Sequence, residues 1–315
     1  MKKLLTSPYF IGYAILYLVV LTLMASIYDY QVSQAIAVVI VIGILFSSVA
    51  YLTSKSSKPI SIPSPPQKRE VLLLALLIAY ITLGLTFGID FIKNSFAALF
   101  ERDLRVKEIV TLAYKIVLFV GIPLAVYKLS YKFDLKEFGL KPSTKELFTK
   151  RNGIILISMA LVLSAFQLFA GNGAKSIRDG LISSNQLLVG LPLLFAWLVL
   201  EVGLVEEFFY RALLQSRLSV LTKSEIGGIV LSGLLFGLSH APGFFLRGGG
   251  AIDGLGTNPT LFMSIGYSIV VLSVAGFFLS IVWSKTRNLW LVAAIHAFVD
   301  LLPSLPEFLS IWNIQ

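Results

Sequence analysis

Eight or nine stretches of predominantly apolar residues follow one another along the chain, each close to the length of about 20 residues that crosses roughly 30 Å of hydrocarbon. They fall at about 8–27, 33–53, 71–89, 108–127, 152–171, 187–210, 226–242, 260–284 and 289–303, the last of them short. Residues 90–107, with Phe91, Phe96, Phe100 and many charges, read as an interfacial amphipathic helix rather than a further span. No sequence repeat and no period-two alternation is present, so the expected fold is an all-α, polytopic integral membrane helix bundle around a buried polar cavity.

Composition agrees: 57% of the residues are hydrophobic and 14% charged, against about a quarter charged in an ordinary soluble domain. The net charge of +9 does not point to nucleic acid, because the bases sit in short loops between apolar runs. Lys2 and Lys3, Lys55 to Arg69, Lys128 to Arg151, Arg217 with Lys223, and Lys285 with Arg287 fall in alternate loops. By the positive-inside bias that side is the cytoplasm, which puts the N-terminus inside and suits a cell membrane protein with the lipid bilayer as its surroundings. The first apolar run follows a basic start but is long and lacks a small-residue cleavage site, so it reads as a retained span. The chain has no cysteine, which excludes disulfides, thiolate metal sites, a Cys nucleophile and lipidation on cysteine.

Two breaks organise the chain. Residues 54–69 are rich in Ser and Pro and read as an extended cytoplasmic linker after a two-helix unit. A second break at 129–151 contains a Phe138-Gly-Leu turn followed by a capped amphipathic helix. The expected division is 1–129, the N-terminal helices, and 130–315, a membrane core. The Gly-rich stretch 243–258 lacks the Gly-Lys-Ser/Thr of a phosphate loop and reads as a mobile exterior loop.

Chemistry is concentrated in three of the apolar runs. Glu206, Glu207 and Arg211 lie in or at the end of one, His240 in the next, and His296 with Asp300 in the last. Each such residue is costly in hydrocarbon, and together they mark a functional interior. On an α-helix Glu207 and Arg211 are about 40° apart and Glu206 and Arg211 about 140° apart, so Arg211 is assigned to Glu207 and Glu206 is left for chemistry. His296 and Asp300 share a face, as do Phe236 and His240. Gly233 and Gly237 form a Gly-x-x-x-Gly that would let the helix of His240 approach a neighbour closely. With upright helices Glu206 and His240 would differ by roughly 13 Å in height, so tilt or a break near Gly203 is required.

A carboxylate in such a setting can take a proton from water, while imidazoles orient that water or donate to an oxyanion, an arrangement suited to amide hydrolysis. Two histidines with carboxylates would also be enough ligands for a divalent ion, but the His-Glu-x-x-His spacing is absent; no metal and no other cofactor is expected.

The motifs Glu206-Glu-Phe-Phe-Tyr-Arg211, Phe236-Gly-Leu-Ser-His240 and His296-Ala-Phe-Val-Asp300, in this order on successive membrane helices, resemble the CAAX protease and bacteriocin-processing family of intramembrane glutamic endopeptidases, which includes the type II CAAX prenyl endopeptidases. The likeness covers about 185–303 and leaves the first 130 residues unaccounted for. It implies that 130–315 is the catalytic core, that Glu206 activates water with His240 helping to hold it, and that His296 and Asp300 line the oxyanion side. Glu207, Arg211 and Phe236 would be supporting residues. Position 300 is Asp, which cannot donate a hydrogen bond when ionised; it is either protonated or it orients His296. The substrate implied is a membrane-associated peptide or protein. The alternative, from a different class, is a non-catalytic polytopic partner, such as an immunity, scaffold or chaperone-like protein that retains the protease-like site. A transporter is disfavoured by the absence of an inverted repeat or of paired discontinuous helices.

Overall fold

The computed structural model describes residues 6–54, 67–140, 147, 149–249 and 255–315. Among the described residues there is no strand, and nine helices are long and apolar enough to cross a membrane. These are α1 Pro8–Tyr28, α2 Val32–Ser54, α3 Gln67–Ser95, α4 Leu104–Tyr131, α5 Lys150–Phe169, α6 Ser184–Leu221, α7 Glu225–Arg247, α8 Leu261–Thr286 and α9 Leu289–Trp312. The protein is therefore an all-α polytopic membrane bundle.

Several expectations need correction. Residues 90–95 continue α3, and 97–102 form a separate short helix, because the apolar face carrying Phe91 extends the preceding span rather than starting a surface helix. Ser54 and Gln67 to Arg69 are helical; the rest of the expected 54–69 linker lies outside the described residues. The turn at Phe138 is present, with Gly139 at φ 69° closing a 3-10 helix, Leu135–Phe138. The amphipathic helix expected after it lies mostly outside the described residues. Thr149 caps α5 by accepting from the Asn152 amide at 3.0 Å. Part of the expected exterior loop is helical, since Ala241–Arg247 forms the end of α7, while 250–254 lie outside the described residues.

The chain forms two compact units that interleave along the sequence. The first contains residues up to Ile89 together with Tyr210–Arg287, and the second contains Asp90–Phe209 with Asn288–Gln315. In the first, α7 and α8 pack closely because glycines remove side chains from the seam. A Cβ on Gly237 would stand 2.3 Å from the Ser268 carbonyl oxygen, and one on Gly233 would stand 2.7 Å from the Phe277 ring. This is the close approach that the Gly-x-x-x-Gly spacing predicts. Tyr13 of α1 joins the same seam through a 2.7 Å hydrogen bond with the Ser273 hydroxyl.

In the second unit α9 runs 24 residues, through Pro303 and Pro306. A proline inside a helix has no N–H for the carbonyl four residues earlier. For Pro303 that carbonyl belongs to Val299, and the buried Gln167 side-chain amide of α5 donates to it. The helix survives because a neighbour supplies the missing donor, a common remedy in membranes. The C-terminal carbonyls of α5 are satisfied in turn by Arg178, whose Nη1 reaches the oxygens of Gln167, Leu168 and Gly171 at 3.0, 2.9 and 2.9 Å.

Candidate functional site

The backbone of α6 departs from α geometry twice. Val199–Leu204 and Phe208–Gln215 are π-helical, separated by a short α stretch, Val205–Glu207. Such segments hydrogen-bond i→i+5 and concentrate at functional sites. Within the first of them Gly203 lies against α9 so tightly that a Cβ would stand 2.3 Å from the Ala293 carbonyl oxygen. Gly203 thus sits in a π segment, and its lack of a side chain lets the backbones of α6 and α9 come together.

That contact sets the geometry of the carboxylates. Glu207 is fully buried, and its Oε1 accepts a hydrogen bond from His296 Nδ1 at 2.7 Å. His296 is itself buried, and its Nε2 stands 3.7 Å from Asp300 Oδ2 on the next turn of α9. One imidazole therefore lies between two carboxylates, with Glu207 fixing the ring orientation and the Nδ1–H tautomer. The contact between His296 and Asp300 follows from their i,i+4 spacing. The contact between Glu207 and His296 was not legible, because it depends on the packing of two helices far apart in sequence.

Glu206 is half-buried. Lys115 is ion-paired with Glu201, one π-turn before Glu206. Neither Lys115 nor Glu201 was picked out from the sequence, although both are charges inside apolar runs, the signal that identified the others. The assignment of Arg211 to Glu207 used 100° per residue, whereas a π segment begins at Phe208; residues four apart stay on one face in either geometry.

The remaining predicted residues belong to the first unit. Arg211 is completely buried, with its guanidinium carbon 4.7 Å from the Phe236 ring centroid. Phe236 also meets Tyr210 edge-to-face at 5.2 Å and His240 at 5.1 Å, so it supports both cationic and imidazole side chains. His240 Nδ1 lies 2.9 Å from the Phe236 carbonyl oxygen. A carbonyl only accepts, so Nδ1 carries the hydrogen and neutral His240 presents Nε2 as an acceptor. Among the described residues no group of three or more His, Asp or Glu side chains is arranged to hold a metal ion. A cavity of about 530 Å³ in the first unit is lined by apolar and tyrosine side chains, including Phe10, Tyr13, Tyr17, Val39 and Phe277, and by none of the predicted site residues.

An all-α membrane bundle with a buried imidazole held between carboxylates is, by class, a polytopic membrane protein with a polar interior. Residues 188–302, rather more than a third of the chain, match the model of the family described as Type II CAAX prenyl endopeptidase Rce1-like, the kind of family that the ordered trio resembles. That family suggests a CAAX-protease type of peptidase activity. No match was found among curated proteins or among solved structures.

Proposed function

We propose that the protein is an intramembrane endopeptidase that hydrolyses a peptide bond of a membrane-associated peptide or protein, with Glu206 activating the attacking water. The observation that carries this reading is the buried Glu207–His296 hydrogen bond with Asp300 beside the other ring nitrogen, inside the segment that matches the family. A structural role for Glu207 leaves the adjacent, half-buried Glu206 as the carboxylate available to solvent and substrate.

In the proposed reaction Glu206 takes a proton from water as its oxygen attacks the scissile carbonyl carbon. The C–N bond then breaks, and the same proton passes to the leaving amine. Negative charge that develops on the carbonyl oxygen is met by the Nε2–H of His296 in its doubly protonated form, the ring being oriented through Nδ1 by Glu207. Asp300 acts through His296 in this scheme. His240 enters through the ordered trio; its Nε2, an acceptor in the neutral ring, suits it to hold a water proton. Arg211 and Phe236 support the fold. We place the N-terminus on the cytoplasmic side from the distribution of bases.

The reading is tested by comparing peptide termini in membranes of cells that carry the intact protein or the Glu206→Gln variant at equal abundance. The proposal expects a set of cleavage products present only with the intact protein. Identical termini in the two membranes would favour the non-catalytic partner.

A further inference from the structure

One end of the first unit gathers the end of α6, the start of α7 and the end of α8, and the bases there differ in how their charge is met. Arg217, with 4% of its side chain exposed, stands 3.8 Å from Glu70, and Lys285 pairs with Glu225 at 2.8 Å. Lys223 is exposed to solvent. Arg287 directly follows α8 and is half-buried, yet no carboxylate among the described residues forms an ion pair with it. A base that is neither solvated nor paired is a costly arrangement.

The hydrogen bonds around Arg287 show which part of it is left over. Its backbone amide closes α8 on the Trp283 carbonyl at 2.9 Å, and its guanidinium carbon lies 5.3 Å from the Trp283 ring centroid. Nη1 donates to the Ser216 hydroxyl oxygen at 2.7 Å. That hydroxyl also accepts from Trp283 Nε1 at 3.1 Å and donates to the Arg211 carbonyl at 3.2 Å, so its two lone pairs and its hydrogen are all used. On the other edge of the guanidinium Nε is buried without a partner, and Nη2 makes no hydrogen bond among the described residues. Nε and Nη2 are a planar pair of donors that matches two oxygens of one anion. Burial acts against the charge as well, pushing the Arg287 pKa down to about 10. The negative end of the α8 dipole favours a base here but offers that edge no acceptor.

We propose that the Nε and Nη2 edge of Arg287 binds the phosphate of an anionic phospholipid headgroup. Depth argues for lipid as the source of the phosphate, because Arg287 is the first residue beyond the α8 span, at the level where headgroups lie. The distribution of bases places this end on the cytoplasmic side, whose leaflet carries the anionic lipids that basic pockets between spans recognise. The phosphate would give Arg287 the counter-charge that Glu70 gives Arg217 and Glu225 gives Lys285. The site uses none of the residues assigned to peptide hydrolysis, so it stands or falls apart from that reading.

The experiment titrates the purified full chain, in a non-ionic detergent, with dioleoylphosphatidylglycerol and separately with dioleoylphosphatidylcholine, and counts bound lipid by native mass spectrometry. The wild type should bind the anionic lipid the more tightly, and Arg287→Gln should weaken that binding by about tenfold or more, the worth of charge-assisted hydrogen bonds. Arg287→Lys keeps the charge without the planar fork and should fall between the two. Lys223→Gln removes an equal but exposed charge and should change binding by no more than about twofold. Equal weakening by Lys223→Gln and Arg287→Gln would show diffuse attraction and overturn the site, and so would unchanged binding in Arg287→Gln. Displacement of the lipid by millimolar inorganic phosphate would make the ligand a soluble anion and overturn the lipid assignment. If Arg287→Gln does not fold, undiminished binding in Arg287→Lys would overturn the fork, and weakened binding would support it.

Discussion

Gln167 of α5 donates its side-chain amide to the carbonyl of Val299, the carbonyl that Pro303 leaves without an intrahelical donor in α9. Val299 adjoins Asp300 and lies about one turn of α9 beyond His296, so the repair of a proline gap and the placing of the imidazole are parts of one structure. Gln167→Leu keeps the volume but removes the donor. It should lower stability by about 1 to 3 kcal/mol, the cost of a buried unsatisfied polar group. Thermal unfolding in detergent checks this, and an unchanged midpoint would mean that the carbonyl finds another donor.

A methyl group at position 203 should also be poorly tolerated. Its nearest neighbour would be the Ala293 carbonyl oxygen at 2.3 Å, which is backbone and cannot swing aside. Gly203→Ala must separate α6 from α9, at a cost of about 1 to 3 kcal/mol. Because the same contact lets Glu207 reach His296, Glu206-dependent cleavage per folded molecule should fall as well. Wild-type stability and cleavage in this variant would show that the close approach is dispensable.

Two ion pairs should respond very unequally to truncation. Arg217 Nε and Glu70 Oε1 are 3.8 Å apart with 4% and 2% of their side chains exposed, whereas Lys175 and Asp179 pair in largely open positions. Glu70→Ala should cost about 3 to 5 kcal/mol by stranding a buried guanidinium charge. Asp179→Ala should cost about 1 kcal/mol at most. Equal effects in unfolding experiments would contradict the burial argument.

The span count and the fold class were legible because hydrophobic length is a local signal, and the spacing of His296 and Asp300 on one face of α9 was legible from their i,i+4 positions. Helical phase was not. A run of apolar residues reads alike in α and π geometry, so the two π segments of α6 on either side of Val205–Glu207 could not be seen in the sequence. The end of α9 was misread for a related reason: Pro303 looks like a terminator until Gln167, far away in sequence, supplies the donor. Lys115 and Glu201 were legible in principle, since each interrupts an apolar run, but only the ion pair gives them a common meaning.

Chelation separates the proposed chemistry from metal-dependent hydrolysis. The account places proton transfer on Glu206, so cleavage by purified, active protein should persist in a strong chelator. Loss of cleavage on chelation, with recovery on adding zinc back, would move Glu206 from base to partner of a metal-bound water.

The adjacent glutamates provide the most direct measurement. Glu206→Gln and Glu207→Gln differ by one position and one atom type, and the account gives them different consequences. Glu206→Gln should unfold within about 1 kcal/mol of the wild type and lose Glu206-dependent cleavage by about 10² to 10⁴-fold, the usual worth of a general base. Glu207→Gln weakens a buried charged hydrogen bond to His296 and should lose about 1.5 to 3 kcal/mol of stability while the folded fraction continues to cleave. A stable, inactive Glu207→Gln beside an active Glu206→Gln would reverse the roles and contradict the account.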